Sequence, residues 1–147
     1  MKDNNNIETY NIWSGTDYDK NTSGFTKGSN CQINTSNKFS INGENCLEIQ
    51  RVGDTSFYVD TTRFTDLTAD KTITYECIVY SPNSDINIQL RCNGIAQTTI
   101  MVPSLIIPQK VSLSCKIPVD NTGYTCLRFL PTSKNSCFID DITCIVR

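Results

Sequence analysis

The sequence predicts an all-β chain built as two packed antiparallel sheets, a β-sandwich or jelly roll. Apolar residues recur at every second position, as in Ile73-Tyr75-Cys77-Val79 and Val111-Leu113-Cys115-Ile117, and no long stretch holds a helical period. Asn, Thr and Ser together supply 46 of the 147 residues, a bias that suits strands, turns and a polar uncharged surface.

Eight strands are expected, at 46–52, 56–62, 72–80, 86–92, 97–102, 110–117, 124–130 and 137–146. Turn-forming clusters separate many of them: Ser81-Pro82-Asn83-Ser84, Asn93-Gly94, Pro103-Ser104, Asp120-Asn121-Thr122-Gly123 and Pro131-Thr132-Ser133. Short strands at this spacing favour two antiparallel sheets over a βαβ architecture. One domain is expected over residues 1–147, with no repeat, linker or transmembrane run. Residues 1–40 are rich in Asn, Thr, Ser and Gly with isolated aromatics at Tyr10, Trp13, Tyr18, Phe25 and Phe39. They bury too little apolar area for a core of their own and are expected to be loops with one edge strand, a segment suited to a docking arm.

Composition excludes several functions. With 13 basic and 15 acidic side chains the net charge is −2, and the cations are scattered singly, so no nucleic-acid partner is expected. The chain has no histidine, which removes His-based nucleophilic triads, His-ligated catalytic zinc and an imidazole switch. The N-terminal MKDNNNIETYNIW lacks the apolar core of a secretory signal.

Eight cysteines stand at 31, 46, 77, 92, 115, 126, 137 and 144 with no CxxC spacing, which argues against a zinc ribbon or thioredoxin-like chemistry. An even count admits a disulfide framework. Several thiols, however, fall in step with apolar alternation and read as small core residues of a chain made in a reducing cytoplasm. Cys115 and Cys126 flank the 120–123 turn, yet Leu127 and Phe129 are the better core pair of their strand. Hydrophobic phase therefore turns Cys126 outward and away from Cys115.

From about residue 39 the order of features resembles the carbohydrate-binding modules of the jelly-roll, galactose-binding-like superfamily. Ser40-Ile41-Asn42-Gly43-Glu44-Asn45-Cys46-Leu47-Glu48-Ile49 resembles their opening strand, and Thr72-Ile73-Thr74-Tyr75-Glu76-Cys77-Ile78-Val79-Tyr80-Ser81 their long central strand with an Ile86-Asn87-Ile88-Gln89-Leu90 partner. Cys137-Phe138-Ile139-Asp140-Asp141-Ile142-Thr143-Cys144-Ile145 is similar to their closing strand. The resemblance implies a structural calcium ion held by Asp141 with Gly43 and Glu44 as backbone donors; the alternative is that Asp141 caps or pairs at the strand end. The N-terminal segment departs from the family in lacking its usual opening Phe-Glu strand. Asp140 and Asp141, as adjacent strand residues, point to opposite faces and do not converge as a catalytic pair.

Sugar binding asks for aromatic faces and planar polar groups. Strand phasing places Glu76, Tyr80, Gln89, Arg91 and Arg128 on outward positions, a candidate concave floor for carbohydrate, although a solvent-facing sheet has similar composition. Trp13 reads as a stacking platform or as a core or interface anchor, with Tyr10 beside it as a second interface residue. The expected function is a non-catalytic carbohydrate-binding module for attachment to glycans or cell-surface polysaccharide. It would work as an adhesin on a phage tail, virion or other surface assembly, as a homo-oligomer, with neither nucleic acid nor membrane as partner. The alternative is a structural decoration subunit that binds protein alone.

Overall fold

The computed structural model describes residues 7–15, 22–38 and 45–147. Eleven strands and no helix occur among them: β1 (Glu8–Trp13), β2 (Thr26–Lys27), β3 (Cys31–Ser36), β4 (Cys46–Arg51), β5 (Val59–Asp60), β6 (Thr72–Tyr80), β7 (Ile86–Cys92), β8 (Ile95–Val102), β9 (Gln109–Lys116), β10 (Thr125–Pro131) and β11 (Cys137–Val146). They form two antiparallel sheets. One runs β3-β4-β11-β6-β9 with β1 also paired to β11, and the other runs β2-β5-β10-β7-β8. The 72–80, 86–92 and 137–146 strands match their expected bounds, whereas the 56–62 strand shrinks to Val59–Asp60.

Alternation explains the layers. In β6 Ile73, Tyr75, Cys77 and Val79 are buried while the residues between them are half-buried, and β7 repeats the pattern with Ile86, Ile88, Leu90 and Cys92. These two inner faces, with Leu127 and Phe129 of β10 and Ile139 and Cys144 of β11, form one continuous core. β7 and β8 are joined by the two-residue turn Asn93-Gly94, with φ of 56° and 73°. Positive φ at both positions is the geometry whose twist suits a tight hairpin, and Asn-Gly tolerates it best.

Three expectations change. The N-terminal segment supplies three strands, not one, and Trp13 is 2% exposed, so its ring is a core filler and not a platform or docking surface. Tyr10 packs half-buried against the core, its ring 4.9 Å from that of Phe64. The 86–92 strand is not the neighbour of 72–80: β6 lies between β11 and β9, and β7 lies in the opposite sheet. The 81–85 segment is therefore a crossover between layers, in which Ser81 Oγ donates to the carbonyl of Ser84 and Asp85 accepts from the backbone N–H of Ser104.

β11 carries the third difference. Its buried apolar residues run Cys137, Ile139, then Ile142, Cys144 and Val146, with Asp140 buried as well, so the apolar period slips by one residue in between. The register with β6 shifts between Asp140 and Thr143, and Asp141 has φ 51°. This bulge lies where β11 exchanges its partner on one side, β4 at 137–139 and β1 at 142–146. It also cancels the opposite-face expectation for the two aspartates. Asp140 Oδ1 accepts from the backbone N–H groups of Gly15 and Asp141, and Asp141 Oδ1 accepts from Ser14 Oγ, so both serve the turn after β1.

All eight cysteines are free, seven of them buried. Cys115 and Cys126 lie on strands of different sheets, which removes the hairpin that would have paired them. Cys126 does occupy an outer-face phase, but it is wholly covered.

Candidate functional site

The side chains that cover Cys126 define the site. On the outer face of the five-stranded sheet, cross-strand register sets Thr26, Asp60, Arg128, Gln89 and Thr99 in one row across all five strands. Asp60 stands in it between Thr26 and Arg128 with 0% exposure. A carboxylate so placed needs charged partners, and it has them. Arg128 donates from Nε to Oδ1 at 2.7 Å and from Nη2 to Oδ2 at 2.9 Å, a bidentate fork, and Arg63 donates from Nη2 to Oδ2 at 2.8 Å. Two guanidinium groups thus converge on one carboxylate oxygen.

Aromatic rings fix the other side of each cation. The Arg128 guanidinium carbon lies 4.1 Å from the centroid of Tyr58, and that of Arg63 lies 4.1 Å from the centroid of Tyr124. The second row of the face adds Arg91, opposite Cys126, which donates to Gln89 Oε1 at 2.7 Å and to the Gly94 carbonyl. Burial is the largest influence on Arg63 and would lower its pKa, but the hydrogen bond it donates to Asp60, together with the Asp60 charge and the acidic groups of Tyr124 and Cys126, outweighs burial and the value is raised; at Arg128 the hydrogen bond donated to Asp60 is the largest influence and raises it. Beneath them burial, reinforced by the Asp60 charge, pushes the Cys126 thiol up to about 12, so this cysteine is a neutral filler and not a nucleophile.

The five residues expected on one floor separate into two groups. Gln89, Arg91 and Arg128 lie together on this face. Glu76 and Tyr80 lie on β6, on the outer face of the other sheet, where Glu76 is in register with Ser112 and Thr143 and the Tyr80 ring is 6.1 Å from that of Phe138. The division follows from β6 and β7 belonging to different sheets. Tyr58, Asp60, Arg63 and Tyr124 complete the site and were not singled out from sequence. Tyr58 and Asp60 were within reach, since they flank the inward Val59 and so share the outward phase; Arg63 lies past the strand end, where alternation says nothing.

Of the calcium ligands implied by resemblance, Gly43 and Glu44 lie outside the described residues. Asp141 is described, with the Ser14 contact above. Among the described residues no group of three or more Cys, Asp or Glu side chains gathers in a way that could hold a metal, and Asp140 Oδ1 is committed to backbone donors.

No known sequence family and no curated protein matches the chain. Solved structures do. The CBM22-1 xylan-binding domain of Paenibacillus barcinonensis Xyn10C is similar at 14% identity and a TM-score of 0.62, covering 95% of this chain and 92% of that one. The CBM22-1-GH10 modules of Clostridium thermocellum Xyn10B, complexed with xylohexaose, give 15% identity and a TM-score of 0.67 over 92% of this chain and 28% of that one. The enzymatically active domain of bacteriophage CBA120 tailspike protein 4 gives 14% and 0.63 over 91% of this chain, which spans 21% of the tailspike chain. These likenesses, with the two antiparallel sheets, make the chain a jelly-roll β-sandwich of the kind found in carbohydrate-binding modules.

Proposed function

We propose that the chain is a non-catalytic carbohydrate-binding module that holds glycan on the outer face of the five-stranded sheet. One observation carries the reading: planar polar groups and two tyrosine rings are locked together around the buried Asp60, in a fold that elsewhere serves as a xylan-binding domain. Rigid planar donors bridge sugar hydroxyls, and the aromatic edges offer apolar contact, at little entropic cost because the rotamers are already fixed. Asp60 is a poor general base, since both its oxygens accept from arginine. A panel of cell-wall and surface polysaccharides tests the reading: wild-type protein is retained on at least one, Arg91→Ala and Tyr124→Ala variants lose retention, and a blank panel overturns it.

Attachment as part of a surface assembly, such as a phage tail or virion, belongs to the same proposal and is supported by the likeness to the tailspike domain. A second reading, a decoration subunit that binds only protein, is favoured by the run Leu105, Ile106 and Ile107 at 41%, 82% and 59% exposure. The polysaccharide panel run beside a pull-down of the scaffold separates them: a decoration subunit co-purifies with its scaffold and ignores sugars. A calcium ion beside Asp141 would brace the β11 bulge against the turn at Ser14. Chelation with EDTA then lowers the melting temperature and added calcium restores it, while an unchanged melt removes the ion from the account.

A further inference from the structure

The outer face of the five-stranded sheet is cationic on a chain that is not. Three arginines, Arg63, Arg91 and Arg128, stand there beside one carboxylate, Asp60, which pairs with Arg63 and Arg128, whereas the whole chain carries a net charge of −2. Among the described residues Arg91 pairs with no carboxylate; its two acceptors, the Gln89 amide oxygen and the Gly94 carbonyl, are neutral. Arg128 spends its Nε/Nη2 edge on Asp60 and Arg63 spends Nη2, so nothing among the described residues accepts from Nη1 of either. Their side chains keep 15% and 31% exposure, so both stay partly accessible to solvent. Behind the face, Nε of Arg63 and Nε of Arg91 are buried without a hydrogen-bond partner. Donors therefore exceed acceptors at every arginine.

A neutral sugar offers hydroxyls, which answer this excess weakly. A planar carboxylate answers both the donor surplus and the charge, because its two oxygens match the guanidinium fork. We propose, resting on the reading of this face as a glycan site, that its ligand is an acidic polysaccharide whose uronic-acid carboxylate is read by the Nη1 groups of Arg63 and Arg128 and by Arg91. Asp60 is the positioning residue: it gathers two like charges that would otherwise repel and aims their free edges outward.

Affinity electrophoresis with polygalacturonate, alginate and hyaluronate, each beside its carboxyl-reduced counterpart, tests the assignment. At least one acidic polymer is expected to bind ten-fold or more tightly than its reduced twin, with binding weakened by salt and by Arg91→Gln, and unchanged by Glu76→Gln on the opposite face. Equal binding of a polymer and its reduced twin overturns the acidic ligand and leaves the glycan reading standing. Dextran sulfate binding as tightly as every uronate shows charge attraction alone and overturns carboxylate recognition. Failure of all these polymers and of the neutral panel overturns both.

Discussion

Replacing Asp60 by Asn tests the hub of the site. The substitution keeps shape but removes the charge that holds Arg63 and Arg128, and sets an amide N–H₂ against a guanidinium donor. Breaking a fully buried ion pair by removing one partner costs about 3–5 kcal/mol. Here the arginine side chains are 15% and 31% exposed, so water takes over part of their solvation, and we expect about 2–3 kcal/mol. For a chain of this size that corresponds to a fall in Tm of roughly 5–12 °C. Urea denaturation followed by tryptophan fluorescence reads the loss from Trp13, the sole tryptophan, which sits in the core. A double-mutant cycle with Arg128→Met should show a coupling of at least about 1.5 kcal/mol, since the two groups share two hydrogen bonds. An Asn variant within about 0.5 kcal/mol of wild type, the scatter of ordinary surface substitutions, would refute the role given to Asp60.

Other expectations follow from the same packing. Trp13→Ala should cost about 3–5 kcal/mol and Trp13→Phe much less, measured by the same denaturation with circular dichroism; a neutral alanine variant would place the ring outside the core. Burial lifts the thiols of Cys46, Cys77, Cys126 and Cys144 from 9.0 to about 12. A folded pKa above the unfolded one contributes stability that is intact below about pH 9 and lost as pH rises towards 12, about 1.4 kcal/mol per thiol at pH 10. Melting temperature should therefore hold to about pH 8.5 and then fall steeply, whereas a flat profile to pH 10.5 would contradict buried thiols. Cys92 of β7 and Cys115 of β9 lie close enough across the two sheets for each thiol to shift the other, Cys92 down and Cys115 up. Oxidised glutathione, taking two electrons from the pair, should form the Cys92–Cys115 disulfide first; peptide mapping that finds another bond first would contradict this contact.

The fold was legible because alternation is a local signal. Long strands with clean period two, such as 72–80 and 86–92, were recovered residue for residue, and Asn93-Gly94 marked its own hairpin. Which strands pair is not local. The 81–85 segment looks like a hairpin turn and is a crossover, and that single difference moved Glu76 and Tyr80 away from Arg91 and Arg128. The β11 bulge was hidden for a related reason: Asp140-Asp141 reads as ordinary strand until the partner exchange from β4 to β1 is known. Asp60 escaped notice because a lone Asp in a short strand resembles a surface charge, and its burial depends on Arg63 and on Arg128, the latter 68 residues away.

A glycan held on the outer face of the five-stranded sheet, as proposed, must change the surroundings of the backbone there. Backbone amide chemical shifts recorded during titration with a retained polysaccharide fragment test it most directly. Binding at that face concentrates the perturbations at Tyr58 to Arg63, Gln89 to Arg91 and Tyr124 to Arg128. Perturbations centred on Glu76 and Tyr80, or spread evenly over both sheets, would contradict it.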